Sequence, residues 1–159
     1  MTNMETRTKQ TYRTRLYSFI KNILVECPNC AGKALVDTGD NSIFQPMALN
    51  IRVVCGNCGY NKIIERRSNR SRQLIIGAAI DPYFHLPLWL KIEVGSDHLL
   101  WAYNMEHLEF LAAHVGAKLR ERNGFRYEVK SIGAKLPRWM TAKNNRQEVL
   151  KAIGRLKKK

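Results

Sequence analysis

The sequence has few acidic residues and no long apolar run. Its 159 residues include 13 Asp and Glu against 27 Lys and Arg, which gives a formal net charge of +14 at pH 7. No apolar run approaches the roughly 18 residues that a membrane-spanning helix needs, and the first 21 residues contain no continuous apolar segment of the kind that directs secretion. We therefore expect a cytoplasmic protein without a membrane partner. The excess of positive charge favours phosphate-rich or otherwise acidic partners.

The sequence also lacks the motifs of common catalytic sites. It contains no glycine loop that cradles phosphates, no HExxH pattern and no serine or cysteine nucleophile motif. An enzyme would have to use His85, His98, His107 and His114 with nearby acidic residues. His107 and His114 are seven positions apart and therefore lie on one side of a predicted helix. Histidines at such positions more often pack or face solvent, so we predict no enzymatic activity and no small-molecule substrate.

All four cysteines fall into two pairs with the same spacing. Cys27-Pro28-Asn29-Cys30 and Cys55-Gly56-Asn57-Cys58 each place two residues between the cysteines, and 24 residues separate the pairs. Two intervening residues let one short segment direct two thiolates to a single ion, and two such segments complete a tetrahedral Zn²⁺ site. We predict that Cys27, Cys30, Cys55 and Cys58 bind one structural zinc ion. Four thiolates leave no open coordination position, so this zinc would perform no catalysis.

The four cysteines are also compatible with two disulfides, with a redox-active pair or with buried structural thiols. The expected intracellular location disfavours disulfides. A redox centre would need only one Cys-x-x-Cys pair beside a βαβ pattern, which the sequence does not show. The repeated spacing therefore favours zinc.

The two cysteine pairs together resemble the zinc-ribbon fold of the general transcription factor B type, over residues 23–65. Ribbons of this kind occur in transcription factors, polymerase subunits, topoisomerases and ribosomal proteins. The resemblance implies a macromolecule-binding module, with nucleic acid the commonest partner and protein the next. The segments Asp81-Pro82-Tyr83-Phe84 and Leu136-Pro137-Arg138-Trp139-Met140 resemble those of bacterial zinc-ribbon proteins, which implies no further function.

Apolar periodicity predicts an α+β fold, with an N-terminal Cys₄ zinc ribbon followed by a small antiparallel sheet with two helices. We divide the chain into a basic N-terminal arm with a short helix over 1–22, the zinc ribbon over 23–67, a small α+β domain over 68–143, and a basic C-terminal helix and tail over 144–159. The predicted elements after the ribbon are a strand over 74–80, a hairpin over 88–103, a helix from Asn104 to about Leu119, a strand over 125–129 and a helix that begins near Asn144 or Asn145.

The positive charge is concentrated toward the ends of the chain. Residues 132–159 contain nine Lys and Arg and one acidic residue, whereas residues 23–67 contain five and four. A concentrated basic segment is the electrostatic footprint of phosphate contacts. We predict that DNA or RNA is contacted by Arg66, Arg67, Arg70, Lys135, Arg138, Lys143, Arg146, Lys151, Arg155 and Lys158. The alternative is a solvated helix face with a lysine-rich end.

The sequence allows two roles for Trp139, which lies in the basic C-terminal region. Trp139, beside Lys135 and Arg138, either stacks on an unpaired base or packs the last helix onto the sheet. Packing is favoured because Trp is mostly buried on average.

The alternative to nucleic-acid binding is a protein-protein interaction adaptor, in which the ribbon and the hairpin bind a partner protein while the basic ends remain solvated.

Overall fold

The chain has an α+β fold in a computed structural model, as the sequence predicts. The structure describes residues 14–39, 50–65, 75–117 and 136–159. These ranges contain a four-stranded antiparallel sheet, a two-stranded sheet and three α-helices. Within the same ranges, no helix combines the length and the apolar character needed to cross a membrane.

The larger sheet follows the chain order. Its strands are β1 (Ile23–Glu26), β2 (Lys33–Asp37), β3 (Asn50–Val54) and β4 (Asn61–Glu65), each antiparallel to the next. Because the direction reverses at every step, the turn from β1 to β2 and the turn from β3 to β4 lie at the same end of the sheet. This end contains all four cysteines. Residues 40–49, which connect β2 to β3 in the chain, lie outside the described ranges.

Successive side chains of each strand point to opposite faces of this sheet, and one of the two faces is buried. Val25, Val36 and Val53 are each 0% exposed, whereas Leu35 and Ile63 point to the opposite face and remain exposed. The buried face is rich in β-branched residues, which pack well on a pleated surface. The apolar pattern of the sequence thus fixes which face of the sheet is covered.

The predicted hairpin is confirmed as β5 (Leu90–Val94) and β6 (His98–Ala102). The predicted strand over 74–80 is wrong for its described part, since Ile80 makes only an isolated bridge to Pro87. Gly77 has a φ of +93°, which interrupts an extended chain, and its N–H donates to the Tyr103 hydroxyl at 2.9 Å. Apolar residues at this position therefore form an irregular segment.

Helix α1 (Met105–Gly116) begins directly after Asn104, as predicted, and ends before the expected Leu119. The predicted strand over 125–129 lies outside the described residues. Helix α2 (Arg138–Thr141) and a 3₁₀ turn (Lys143–Asn145) precede helix α3 (Arg146–Lys157), which confirms the predicted last helix. In the N-terminal arm, the described part forms a 3₁₀ turn (Leu16–Phe19) where a short α-helix was expected.

Helix α3 packs against α1 through its apolar stripe. The buried residues of α3 are Val149, Ala152, Ile153 and Leu156, and those of α1 include Leu108, Leu111 and Val115. Their spacing of three and four positions places them on one side of each helix. The other side of α3 is thereby left for polar and charged residues.

The chain divides into two compact units. The described residues within 19–91 and 101–104 form one unit, which contains the four-stranded sheet. The described residues within 1–18, 92–100 and 105–159 form the other, which contains α1, α2 and α3. We refer to them as the sheet unit and the helical unit.

Candidate metal centre

The two cysteine pairs meet at one end of the sheet unit. Cys27 and Cys30 lie in the turn after β1, and Cys55 and Cys58 lie in the turn after β3. All four Sγ atoms lie within 4.8 Å of one another. Such an arrangement can hold one metal ion, as the spacing of the cysteines predicts.

The distances between sulfurs fit a single tetrahedral ion. The Sγ atoms of Cys27 and Cys58 are 3.6 Å apart, as are those of Cys30 and Cys55. A tetrahedron with Zn–S bonds of about 2.3 Å has sulfur-sulfur edges of about 3.8 Å. All four cysteines are free, and a disulfide would require a separation of about 2.05 Å. The structure therefore favours metal ligation over two disulfides.

The two cysteine turns share one backbone hydrogen-bond pattern. In each turn, the N–H of the first cysteine donates to the carbonyl five residues later. The N–H of the residue four positions after that cysteine donates to the carbonyl of the cysteine. The bonds run from Cys27 to Gly32 (2.7 Å), Ala31 to Cys27 (2.8 Å), Cys55 to Tyr60 (2.8 Å) and Gly59 to Cys55 (3.0 Å). Each hairpin therefore closes in the same way around its pair of sulfurs.

A left-handed residue occupies the same position in both turns. Ala31 has a φ of +57° and Gly59 a φ of +75°. This conformation reverses the chain after the second cysteine, but it strains a residue that has a Cβ atom. Gly32 meets a different requirement, since a Cβ atom there would lie 3.3 Å from the Cys30 Sγ.

Each turn also supplies an asparagine side chain to a sulfur of the other turn. Asn57 donates from Nδ2 to the Cys30 Sγ at 3.6 Å, and the side chain of Asn29 donates to Cys58. These bonds orient the sulfurs and offset their negative charge, as outer partners of metal ligands do. Reasoning from cysteine spacing missed both asparagines, although their shared third position in the two motifs was the available signal.

The surroundings give the thiols different proton affinities. The hydrogen bond from Asn29, followed by the backbone N–H of Tyr60, lowers the pKa of Cys58 to about 6. Burial raises the pKa of Cys27 to about 11. Cys58 is exposed and Cys27 is 2% exposed, so the outer sulfur loses its proton more readily than the buried one. A metal cation bound by all four sulfurs would require the remaining thiols to lose their protons.

The structure brings part of the predicted phosphate-contacting set onto one helix. Lys151, Arg155 and Lys158 are exposed on or directly after α3. Arg146 is half-buried, and its Nη2 donates to the Ala117 carbonyl at 3.5 Å. Arg138 and Lys143 are exposed on the segment before α3. The remaining predicted residues, Arg66, Arg67, Arg70 and Lys135, lie outside the described ranges.

The histidine pair lies inside the helical unit. His107 and His114 are 2% and 1% exposed, and the rings of Phe110 and His114 stack with centroids 6.3 Å apart. Burial lowers the pKa of His107 to about 4, so its ring is neutral near pH 7. Both side chains are thus buried, as the packing alternative expects.

Asp81 organises the turn formed by Asp81-Pro82-Tyr83-Phe84. Its carboxylate accepts the N–H groups of Tyr83 at 2.9 Å, Phe84 at 2.7 Å and Leu86 at 2.6 Å. Burial raises the pKa of Asp81, while these donors act in the opposite direction. With its oxygens bonded to its own loop, this carboxylate has a structural role.

Comparison with known proteins adds no relative to these observations. No protein-family model matches the chain, and no curated protein or solved structure matches it. The cysteine cluster and the basic face of α3 are therefore the features from which a function can be inferred.

Proposed function

We propose that this protein is a zinc-ribbon protein that binds DNA or RNA through its basic elements, with zinc stabilising the sheet unit. The observation that supports nucleic-acid binding best is the stripe of exposed cations on α3. Zinc and the cations have separate roles in this proposal. The ion closes the two cysteine turns onto each other, and the helix provides the affinity for phosphates.

Zinc suits the donor set of the cysteine cluster. Thiolates are soft ligands, and a tetrahedral arrangement of four sulfurs is typical of zinc or iron-sulfur sites. Cys27, Cys30, Cys55 and Cys58 would hold the ion, and the Asn29 and Asn57 amides would orient two of the sulfurs. When bound, the ion would cross-link the two hairpins, so its binding free energy would add to folding.

The basic stripe consists of Lys151, Arg155 and Lys158, which are separated by four and three positions. At 1.5 Å per residue these side chains start about 6 Å and about 4.5 Å apart along one helix face. The stripe lies opposite the buried Ile153, so the cations project into solvent. One anion, Glu148, shares this side of the helix. Three cations in a row can each neutralise a separate phosphate of one strand.

Salt dependence tests the proposal, because each neutralised phosphate releases counterions. With three contacts, affinity for mixed-sequence DNA or RNA should fall about 20-fold to 40-fold between about 50 mM and about 200 mM salt. Replacement of Lys151, Arg155 and Lys158 by Gln should remove most of this dependence in fluorescence anisotropy titrations of the zinc-loaded protein.

A matched control removes the same charge from the sheet unit. Lys21, Lys33 and Lys62 are exposed, and their replacement by Gln should leave the salt dependence nearly unchanged. Wild-type affinity that does not respond to salt would contradict nucleic-acid binding. An equal effect of the two triple variants would show that net charge, and not the α3 stripe, determines the affinity.

One observation favours the alternative function of a protein-interaction adaptor. Leu35 is 36% and Ile63 is 55% exposed on the solvent face of the sheet, where the register also places Val54. Exposed apolar side chains on one face can form a contact surface for a protein. This alternative would be favoured by a partner protein whose co-purification persists after nuclease treatment and is lost in the double variant Leu35→Lys/Ile63→Lys. The wild-type zinc-loaded protein should then also fail to bind nucleic acid.

A further inference from the structure

His98 and Trp139 form a stack of two rings in the helical unit. Their ring centroids are 4.5 Å apart, and the planes differ by 1°. His98 is the exposed first residue of β6, and Trp139 is a half-buried residue of α2. The indole therefore covers one face of the imidazole, and we call the opposite ring face of this exposed residue its solvent face.

The neighbouring structure holds both rings in place. The Asn145 Nδ2 donates to the Trp139 carbonyl at 3.0 Å, and the next residue, Met140, is 5% exposed. His98 follows directly on the tight turn that contains Gly95 with a φ of +66°. A platform whose rings are already aligned loses little conformational entropy when a further ring binds to it.

The charges around the stack suit one particular ligand. Arg138 precedes Trp139 in the chain and Lys143 follows within the same segment, and both are exposed. Asp97, which precedes His98 in the chain, accepts a hydrogen bond from the Ser96 hydroxyl at 3.0 Å and adds a negative charge to the turn. This distribution favours a neutral aromatic ring on His98 and negatively charged groups near Arg138 and Lys143.

We propose that the solvent face of His98 binds an unpaired base of a single-stranded nucleic acid, which extends the His98 and Trp139 stack by one ring. Phosphates next to that base lie within reach of the cations that flank Trp139. This inference rests on the proposed nucleic-acid function and adds a preference for single strands. Stacking accepts every base because each base has a π-face, so little sequence preference is expected.

Oligonucleotides with and without bases test the stack, because they carry the same backbone charge. Zinc-loaded full-length protein is titrated with a single-stranded oligothymidylate and with an abasic strand of equal length, as DNA and as the corresponding RNA. Wild type should bind the strand with bases about 5-fold to 10-fold more tightly than the abasic strand. His98→Ala should abolish this difference, and His98→Phe should retain it.

Leu99→Ala is a matched control, since Leu99 is an exposed apolar residue that follows His98 on β6. It should leave the ratio of the two affinities unchanged. Equal wild-type affinity for both strands, or a ratio that persists in His98→Ala, would overturn the stacking proposal while salt-dependent binding leaves the α3 proposal intact. Absence of binding to every strand at low salt would overturn both.

Discussion

The turn after β1 and the turn after β3 hold two cysteines each with the same backbone hydrogen bonds, although their residues differ. The left-handed position is Ala31 in one turn and Gly59 in the other. In both turns the first cysteine is buried and the second is more exposed. What the two turns share is therefore the geometry that directs two sulfurs to one point.

The difference between Ala31 and Gly59 allows the cost of backbone strain to be compared with the free energy of zinc binding. A residue with a Cβ atom costs about 1 to 2 kcal/mol in the left-handed conformation. The apparent binding free energy of a structural zinc ion in small zinc modules is about 10 to 16 kcal/mol. A bound zinc ion would therefore stabilise the closed arrangement by much more than the strain at Ala31 costs.

The largest expected effect follows from removal of a ligand in either turn. Cys27→Ser and Cys58→Ser should each bind less than about a tenth as much zinc as wild type, because a hydroxyl is a much poorer ligand than a thiolate at neutral pH. The sheet unit should then unfold, since the lost binding free energy is comparable to the whole stability of a domain of roughly 5 to 15 kcal/mol. Elemental analysis and thermal unfolding measure the two effects.

Gly56→Ser is the control for these variants. It introduces a hydroxyl between Cys55 and Cys58, where a new Cβ atom meets nothing within 4 Å. Zinc content and thermal midpoint should stay close to those of wild type. Retention of the metal in Cys27→Ser or Cys58→Ser would contradict a site made of four thiolates.

An intermediate effect is expected for the two asparagines. Asn29→Ala and Asn57→Ala should each lower the zinc affinity about 10-fold, because each removes a donor that supports a thiolate. Asn29→Ala should cost more, since Asn29 is the main cause of the lowered pKa of Cys58, whereas Gly32 is the main cause for Cys30. Competition with a chromophoric chelator at fixed pH measures the affinities.

The exposed Asn61 at the start of β4 provides the comparison for these two variants. Asn61→Ala removes the same side chain from a residue outside the two cysteine turns and should leave the affinity unchanged. If neither Asn29→Ala nor Asn57→Ala differs from Asn61→Ala, the side-chain bonds across the turns have no energetic role.

The smallest expected effects have opposite signs in the two turns. Gly59→Ala should lower the free energy of unfolding by about 1 kcal/mol, because the new Cβ atom strains a left-handed residue; it meets nothing within 4 Å, so the cost comes from the backbone alone. Ala31→Gly should raise that free energy by about 0.5 kcal/mol, since relief of strain exceeds the added chain entropy of glycine. Urea unfolding at a fixed zinc concentration measures both. Equal signs would show that the two turns do not share one backbone requirement.

The local patterns of the sequence predicted much of the fold. The hairpin of β5 and β6 follows from an alternation with a period of two, and helix α3 follows from apolar residues spaced three and four positions apart. Each period reflects the burial of one face of a single element. The strand expected over 74–80 failed because the apolar run says nothing about Gly77, whose conformation depends on a hydrogen bond to the distant Tyr103.

The sequence predicted the candidate metal ligands but not the contacts between distant elements, for a related reason. Cysteine spacing identified all four candidate ligands, since two short turns constrain the sulfurs locally. No local pattern indicated that Arg146 would donate to Ala117 or that His98 would cover a face of Trp139. Those contacts join elements that are far apart in the chain, and no local period encodes them.

The sequence by itself determined the α+β class, the four cysteines of one cluster and the concentration of cations near the C-terminus. It could do so because spacing, alternation and charge are properties of short segments. Only the tertiary structure decided that Asn29 and Asn57 each donate to a sulfur of the opposite turn, and that the His98 imidazole stacks on the Trp139 indole. Each of these depends on the register and packing of distant elements, which are set by the burial of apolar surface in the whole unit.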